Sequence, residues 1–298
     1  MKPEGFFLPD DSVLQEIELK WMHIGISNDF LFGKVMQDPY LCQKLLERIL
    51  PDLAIDRIEY PELQKSIRPD SAAKSIRLDV YVKDSAQTVY DIEMQAVSST
   101  NLPRRSRYYQ SIIDLQLLDA GQDYDLLNSS FIIFICRDAV FDCRRHIYTF
   151  RSCCLEDPSL ILEDATTRIF LSAAGKLDDV SPQLKAFLDY VAGTISDDSY
   201  VQEVDLAVRR AKANRKWRHE YMTLEMKERI VRRQAYAEGE AKGKNIGIII
   251  GMILAFRQNQ LTDSDIAMQL MQRFSLSEDE ILDYMRAADE ADARGDIY

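Results

Sequence analysis

The 298-residue sequence predicts an α/β protein, α+β in its mixed sheet, followed by a helical C-terminal region. Residues 77–83 (Arg-Leu-Asp-Val-Tyr-Val-Lys) and 88–95 (Thr-Val-Tyr-Asp-Ile-Glu-Met-Gln) alternate with period two and are rich in β-branched and aromatic residues, as half-buried strands are. Residues 131–136 (Phe-Ile-Ile-Phe-Ile-Cys) are apolar throughout, the mark of a strand buried on both faces. From residue 199 to 258 there is no proline, and the segment reads as almost wholly helical.

The elements follow in order. Residues 1–24 carry only a short amphipathic stretch and form an N-terminal extension. Asn28 or Asp29 supplies an N-cap ahead of Phe30, Phe32, Val35, Met36, Leu41, Leu45, Leu46 and Ile49. Their helical spacing is interrupted at Asp38-Pro39, so one broken helix or two short ones result. Residues 55–67 complete a three-stranded meander with the two strands above. Pro103 suits the first turn of the next helix, which ends near Gly121, and a further helix spans 181–191. In the C-terminal region Gly239, Gly243, Gly247 and Gly251 recur every fourth residue and share one helix face. Each costs a helix roughly 1 kcal/mol relative to alanine, which close helix–helix approach in a homodimer would offset; a weakly helical linker is the other reading. Thr262 and Ser277 cap two short helices, the second with Glu280 completing a capping box. The expected domains are therefore 1–24, 25–198 and 199–298.

Composition narrows the function classes. Five cysteines without a C-x-x-C pair argue against a disulfide framework and a zinc knuckle, and three scattered histidines against a histidine-built metal site. No apolar signal segment is visible, and the longest apolar run, 246–256, is too short for a bilayer, so a soluble cytoplasmic protein with no membrane partner is expected. The net charge of −12 is unevenly spread: residues 200–257 hold 13 cations against 7 anions, residues 258–298 only 3 against 10. Within 209–218, Arg209, Arg210, Arg215 and Lys216 belong to a run of six cations without an anion, suited to phosphates or to a solvated helix face.

The chemistry concentrates in the hairpin. A short connection at 84–88 sets Asp79 opposite Glu93, with Cβ atoms roughly 5 Å apart on one face. Like charges so placed repel, and a hard divalent cation such as magnesium (or manganese) is the natural partner for paired carboxylates. Asp91 shares that face as a possible outer ligand. Arg105 and Tyr109, four apart on the following helix, suit phosphate contact and stacking, or simple packing.

Asp79 followed by Glu93-Met94-Gln95 resembles the core motif of the PD-(D/E)xK nuclease superfamily with Gln in place of Lys. The chain is similar, more closely, to the PD-(D/E)xK family transposases and recombination-promoting nucleases. The likeness begins at Asn28-Asp-Phe-Leu-Phe and runs through residues 74–80, 91–95, 102–110, 121–124, 131–136 and 167–171. It implies a restriction-endonuclease-like core and a Mg²⁺-dependent DNA endonuclease, with Asp79, Glu93 and the Met94 carbonyl at the metal and Gln95 in the catalytic set. The neutral Gln95 amide can orient by hydrogen bonds but supplies no charge. An acidic residue of the first helix commonly completes such sites; Asp29 and Glu47 are the candidates, though a helix cap and a surface position explain them better. A non-cleaving DNA-binding or oligomeric scaffold is the alternative, and nothing in the sequence separates DNA from RNA.

Overall fold

The computed structural model describes residues 11–59, 62–67, 76–97, 99–141 and 144–294. By packing the chain divides into two units, 1–222 and 223–298.

The first unit is built on a six-stranded mixed sheet of order β1-β2-β3-β4-β6-β5, comprising β1 (Glu62–Ile67), β2 (Ile76–Lys83), β3 (Val89–Gln95), β4 (Ser130–Cys136), β5 (Ile147–Phe150) and β6 (Thr166–Ser172). The meander β1-β2-β3 is antiparallel, β3, β4 and β6 run parallel, and β5 returns antiparallel on the edge. β4 is buried along almost its whole length, as its unbroken apolar run requires. The β3–β4 crossover is α4 (Leu102–Leu117), whose Tyr109, Ile112 and Ile113 pack with Tyr81, Ile132, Phe134 and Phe170. Pro103 lies in its first turn as expected, but the helix stops at Leu117, short of Gly121.

The N-terminal apolar stripe resolves into two helices, α2 (Asp29–Val35) and α3 (Pro39–Ile49), because Asp38 accepts the N–H groups of Tyr40 and Leu41 and Pro39 starts a new first turn. The cap of α2 is Asn28, whose Oδ1 accepts from Leu31 N at 3.2 Å; Asp29 is the first helical residue. That frees Asp29 from the capping role and leaves its side chain for other work. α2 contacts β1, β2 and β3. It is tied down by Trp21 of α1 (Asp11–His23), whose ring meets Phe30 and Tyr221, and by buried Lys34, which reaches Glu220 at 2.5 Å beneath the rings of Phe30 and Trp217. The residues before 25 are thus integral to the first unit from Asp11 onward.

Strand β1 starts at Glu62, later than the expected 55; Ile58 makes only an isolated bridge to Asp84. A short strand not foreseen, β5, closes the far edge. Its entry is fixed by His146, whose main-chain N–H donates to Asp179 at 3.1 Å and whose Nδ1 lies 3.0 Å from Asp179 Oδ1, while Ser172 N donates to His146 O. Gly175 lies so close to this ring that a Cβ there would sit 2.6 Å from it, so only glycine fits.

α5 (Pro182–Ala192), capped by Ser181 and closed by left-handed Gly193, is followed by α6 (Ser199–Ala213) and α7 (Arg215–Gln258). The almost wholly helical segment expected over 199–258 is broken once: Asn214 ends α6 in an extended conformation and its side chain caps α7 through Lys216 N and Trp217 N. The unit boundary falls inside α7, whereas a division at 198/199 was expected; α6 packs on α2, α3 and α5 and belongs to the first unit.

In the second unit α8 (Asp263–Phe274) and α9 (Glu278–Arg294) are not a free-standing hairpin. They share a core with the last turns of α7 through Ile249, Ile253, Ile266, Leu270, Ile281 and Met285. The caps are those expected: Asp265 N donates to Thr262 Oγ1, and Ser277 and Glu280 form a reciprocal box. Gly239, Gly243, Gly247 and Gly251 all lie in α7, and beyond the helix's own adjoining backbone no atom among the described residues comes within 4 Å of where their Cβ atoms would be. The stripe is open in the single chain. No helix of the described residues is long and apolar enough to cross a membrane.

Candidate active site

The β2–β3 register pairs Val80 with Ile92, which brings Asp79 and Glu93 side by side on the face covered by α4. The five-residue connection folds as expected, with Asp84 O accepting from Gln87 N and Asp84 Oδ1 from Thr88 N. The two carboxylates lock the strands reciprocally: Asp79 N donates to Glu93 Oε1 at 2.9 Å, and Met94 N donates to Asp79 Oδ2 at 3.0 Å. Both are nearly removed from water, Asp79 at 8% exposure and Glu93 at 3%.

Asp91, one pleat further along β3, is completely buried, and no donor among the described residues reaches either of its oxygens. Its near neighbour is the Glu93 carboxyl, another acceptor, and the two can bond only if one holds a proton. Burial raises the affinity of Asp91 for a proton well above that of an ordinary carboxyl, and the charge of Asp79 adds to the effect. Glu93 is raised for the same first reason, burial, and next by Asp91.

Arg105 is the cation that answers these acids among the described residues. Arg105 Nη1 donates to Gln95 Oε1 at 2.7 Å, and Nη2 lies 3.4 Å from Glu93 Oε2 and 3.0 Å from the Tyr109 hydroxyl. The guanidinium rests 5.3 Å from the ring centres of both Tyr109 and Phe134. Gln95 Nε2 donates in turn to Val97 O at 2.9 Å. Tyr109 is pushed up to about 12 by burial, then by the charge of Glu93, so its hydroxyl stays protonated.

Asp29, Asp79, Glu93, Met94, Gln95, Ala96, Val97 and Arg105 line one open cleft of about 390 Å³. Of the accessory acids, Asp29 is therefore at the site, its Oδ1 held by Phe30 N at 2.7 Å. Glu47 is not: it pairs with Gln43 and Lys44 on the surface of α3. Asp91 lies outside the cleft lining, beneath the pair. Tyr109 presents no stacking surface, being 8% exposed with its ring against Phe134. None of Arg209, Arg210, Arg215 and Lys216 lines the cleft; all four are exposed, Arg209 paired with Asp205 at 2.7 Å. The expectation missed the Gln95–Arg105 bond, although residues ten apart across a strand-to-helix connection are within reach of each other.

The residues suit a small hard cation. The donor set is all oxygen, two adjoining carboxylates with the Met94 main chain beside them, and three buried acids face one guanidinium. Among the described residues no three His, Cys, Asp or Glu side chains form a ligand cluster, so the pair and main-chain oxygen are the candidate set.

No curated protein and no solved structure matches the chain at a significant level. A family model does, and it spans the meander, α4, β4 and β6 together with α2 and the cleft they enclose. Residues 27–171 match the family model described as PD-(D/E)XK nuclease family transposase.

Proposed function

We propose that the protein is a metal-dependent DNA endonuclease that hydrolyses phosphodiester bonds in recombination or a transposase-like role. The observation that carries the reading is the reciprocally bonded pair Asp79 and Glu93, nearly dry, at the wall of an open cleft. Asp79, Glu93 and the Met94 carbonyl would hold Mg²⁺ or Mn²⁺, with Asp29 across the cleft as a further oxygen donor. When bound, the cation supplies acidification of a water and offsets charge growing on the phosphate. The protein's own contribution is to fix both carboxylates through main-chain N–H groups, so that neither needs to reorganise, and to aim Arg105 into the same space.

A non-cleaving DNA-binding or oligomeric scaffold draws on one observation: the same carboxylates already accept N–H groups of the neighbouring strand, which pins the hairpin without any metal. Plasmid nicking during a magnesium titration separates the two. We expect Asp79→Asn and Glu93→Gln each to lower cleavage at least about a thousand-fold, the several kcal/mol such an ion supplies, with the fold intact. Cleavage by both variants at the wild-type rate would remove the site assignment. Free Cys42, Cys136, Cys153 and Cys154 suit a reducing cytoplasm. A homodimer through α7 is part of the reading, since the open glycine stripe suits a second copy. Gly243→Leu should then lower the association constant in sedimentation; a monomeric wild type ends the dimer reading.

A further inference from the structure

Phosphodiester cleavage piles negative charge into a cleft that already holds three carboxylates, those of Asp29, Asp79 and Glu93, with Asp91 behind them. Arg105 is the cleft's one cationic side chain among the described residues, and its geometry is unusually determined. Gln95 Oε1, Glu93 Oε2 and the Tyr109 hydroxyl hold it through hydrogen bonds, and two aromatic rings hold its plane. Even so, 30% of the side chain stays exposed. A guanidinium cannot give up its proton near neutral pH, so it cannot act as a base; it can stabilise an anion.

The Gln95 amide is tied at both ends. Its Nε2 is committed to Val97 O at 2.9 Å and its Oε1 to Arg105 at 2.7 Å. Turning the amide over would set two acceptors face to face at Val97 and two donors face to face at Arg105, so the network fixes one orientation. The amide reads as a strut between the Val97 main chain and the guanidinium.

We propose that Arg105 is a catalytic residue, the fixed cation that binds a non-bridging oxygen of the scissile phosphodiester as its charge grows, and that Gln95 is its positioning residue. This rests on the endonuclease reading above. Fixed donors aimed at developing charge are worth about 10²–10³ in rate.

The test is a double-mutant cycle on the full chain, with Arg105→Met, Gln95→Leu and the double variant. It reads single-turnover cleavage of duplex DNA at saturating Mg²⁺, DNA affinity with Ca²⁺ in place of Mg²⁺, and calorimetric Mg²⁺ binding, with thermal melts to confirm folding. Arg105→Met should cut about 10²–10³-fold more slowly while DNA affinity changes less than tenfold. Gln95→Leu should cost about tenfold with Arg105 present and nothing further in the Arg105→Met background. Mg²⁺ should bind all three variants at least as tightly as wild type, since a competing cation is lost or loosened. Arg105→Lys covers the case of a misfolded Met variant and should retain part of the rate.

Wild-type rates in Arg105→Met or in a folded Arg105→Lys control lacking any measurable deficit overturn the proposal. So does a loss confined to DNA affinity, which would make Arg105 an ordinary phosphate contact. Additive losses in the double variant overturn the positioning role of Gln95. A wild type that neither binds Mg²⁺ nor cuts DNA brings down the endonuclease reading itself and this inference with it.

Discussion

Two buried polar clusters sit in the first unit, and they are built on opposite principles. At the entry to β5, one carboxylate, Asp179, receives the main-chain N–H of His146, lies 3.0 Å from its ring nitrogen, and has Arg145 at 3.6 Å. Burial alone would raise its affinity for a proton, but these partners outweigh burial and hold the carboxyl below its ordinary range. At the cleft three acids crowd around one guanidinium, and the completely buried one has no donor on either oxygen among the described residues. Among the described residues the first cluster is nearly saturated, with only His146 Nε2 unmet, and the second runs a deficit of positive charge. Saturation serves the fold; a standing deficit in a lined cleft is an invitation to a ligand.

That contrast can be broken by substitutions whose effects have opposite signs. The largest effect on stability is expected from Asp179→Ala, which strands the buried N–H of His146 and should cost about 2 kcal/mol at pH 7 by urea denaturation. Because the folded-state pKa is depressed, the stabilisation is present above the ordinary carboxylate range, near pH 4, and is lost as pH falls through the lower value. The variant should therefore lose the part of the wild-type acid limb that lies below about pH 4. A limb of unchanged shape would show that Asp179 is no stabilising anion.

Asp91→Asn should move the other way. Removing an unmet buried charge and bringing two donors to face Glu93 should stabilise the metal-free protein by about 1 kcal/mol. A lower urea midpoint than wild type would erase the distinction between the clusters. Smaller still is the expected effect of replacing Arg209, Arg210, Arg215 and Lys216 by alanine. These cations are exposed, so folding should change little, while the log–log salt slope of DNA binding should flatten by close to 0.9 per lost phosphate contact on duplex DNA. An unaltered slope returns the cluster to a solvated helix end.

What the sequence revealed tracks how local the determining physics is. Asp79 and Glu93 were legible because period two and a short connection fix a hairpin register almost alone. The break before Pro39 and the Ser277–Glu280 box are likewise decided within a few residues. Asn28 and Asp29 are equally good caps on paper; only the fold shows that Asn28 takes the cap while Asp29 lines the cleft. Strand β5 and its His146–Asp179 anchor depend on partners 33 positions apart, and no local pattern announces them. The Gln95–Arg105 bond was hidden differently: both residues had been noticed, but each was assigned a partner in solvent or substrate instead of the other.

The crossover from β3 through α4 to β4 has one more consequence. The hydrogen bonds that link Asp79, Glu93, Met94, Gln95, Arg105 and Tyr109 all lie within one contiguous stretch, residues 79–109. Short sequence separation keeps loop-closure entropy small and contact order low, so this stretch can organise early in folding, before β6 and β5 arrive to complete the sheet. It also makes the chemistry portable: a single short segment carries carboxylates, amide and guanidinium together, already matched to one another.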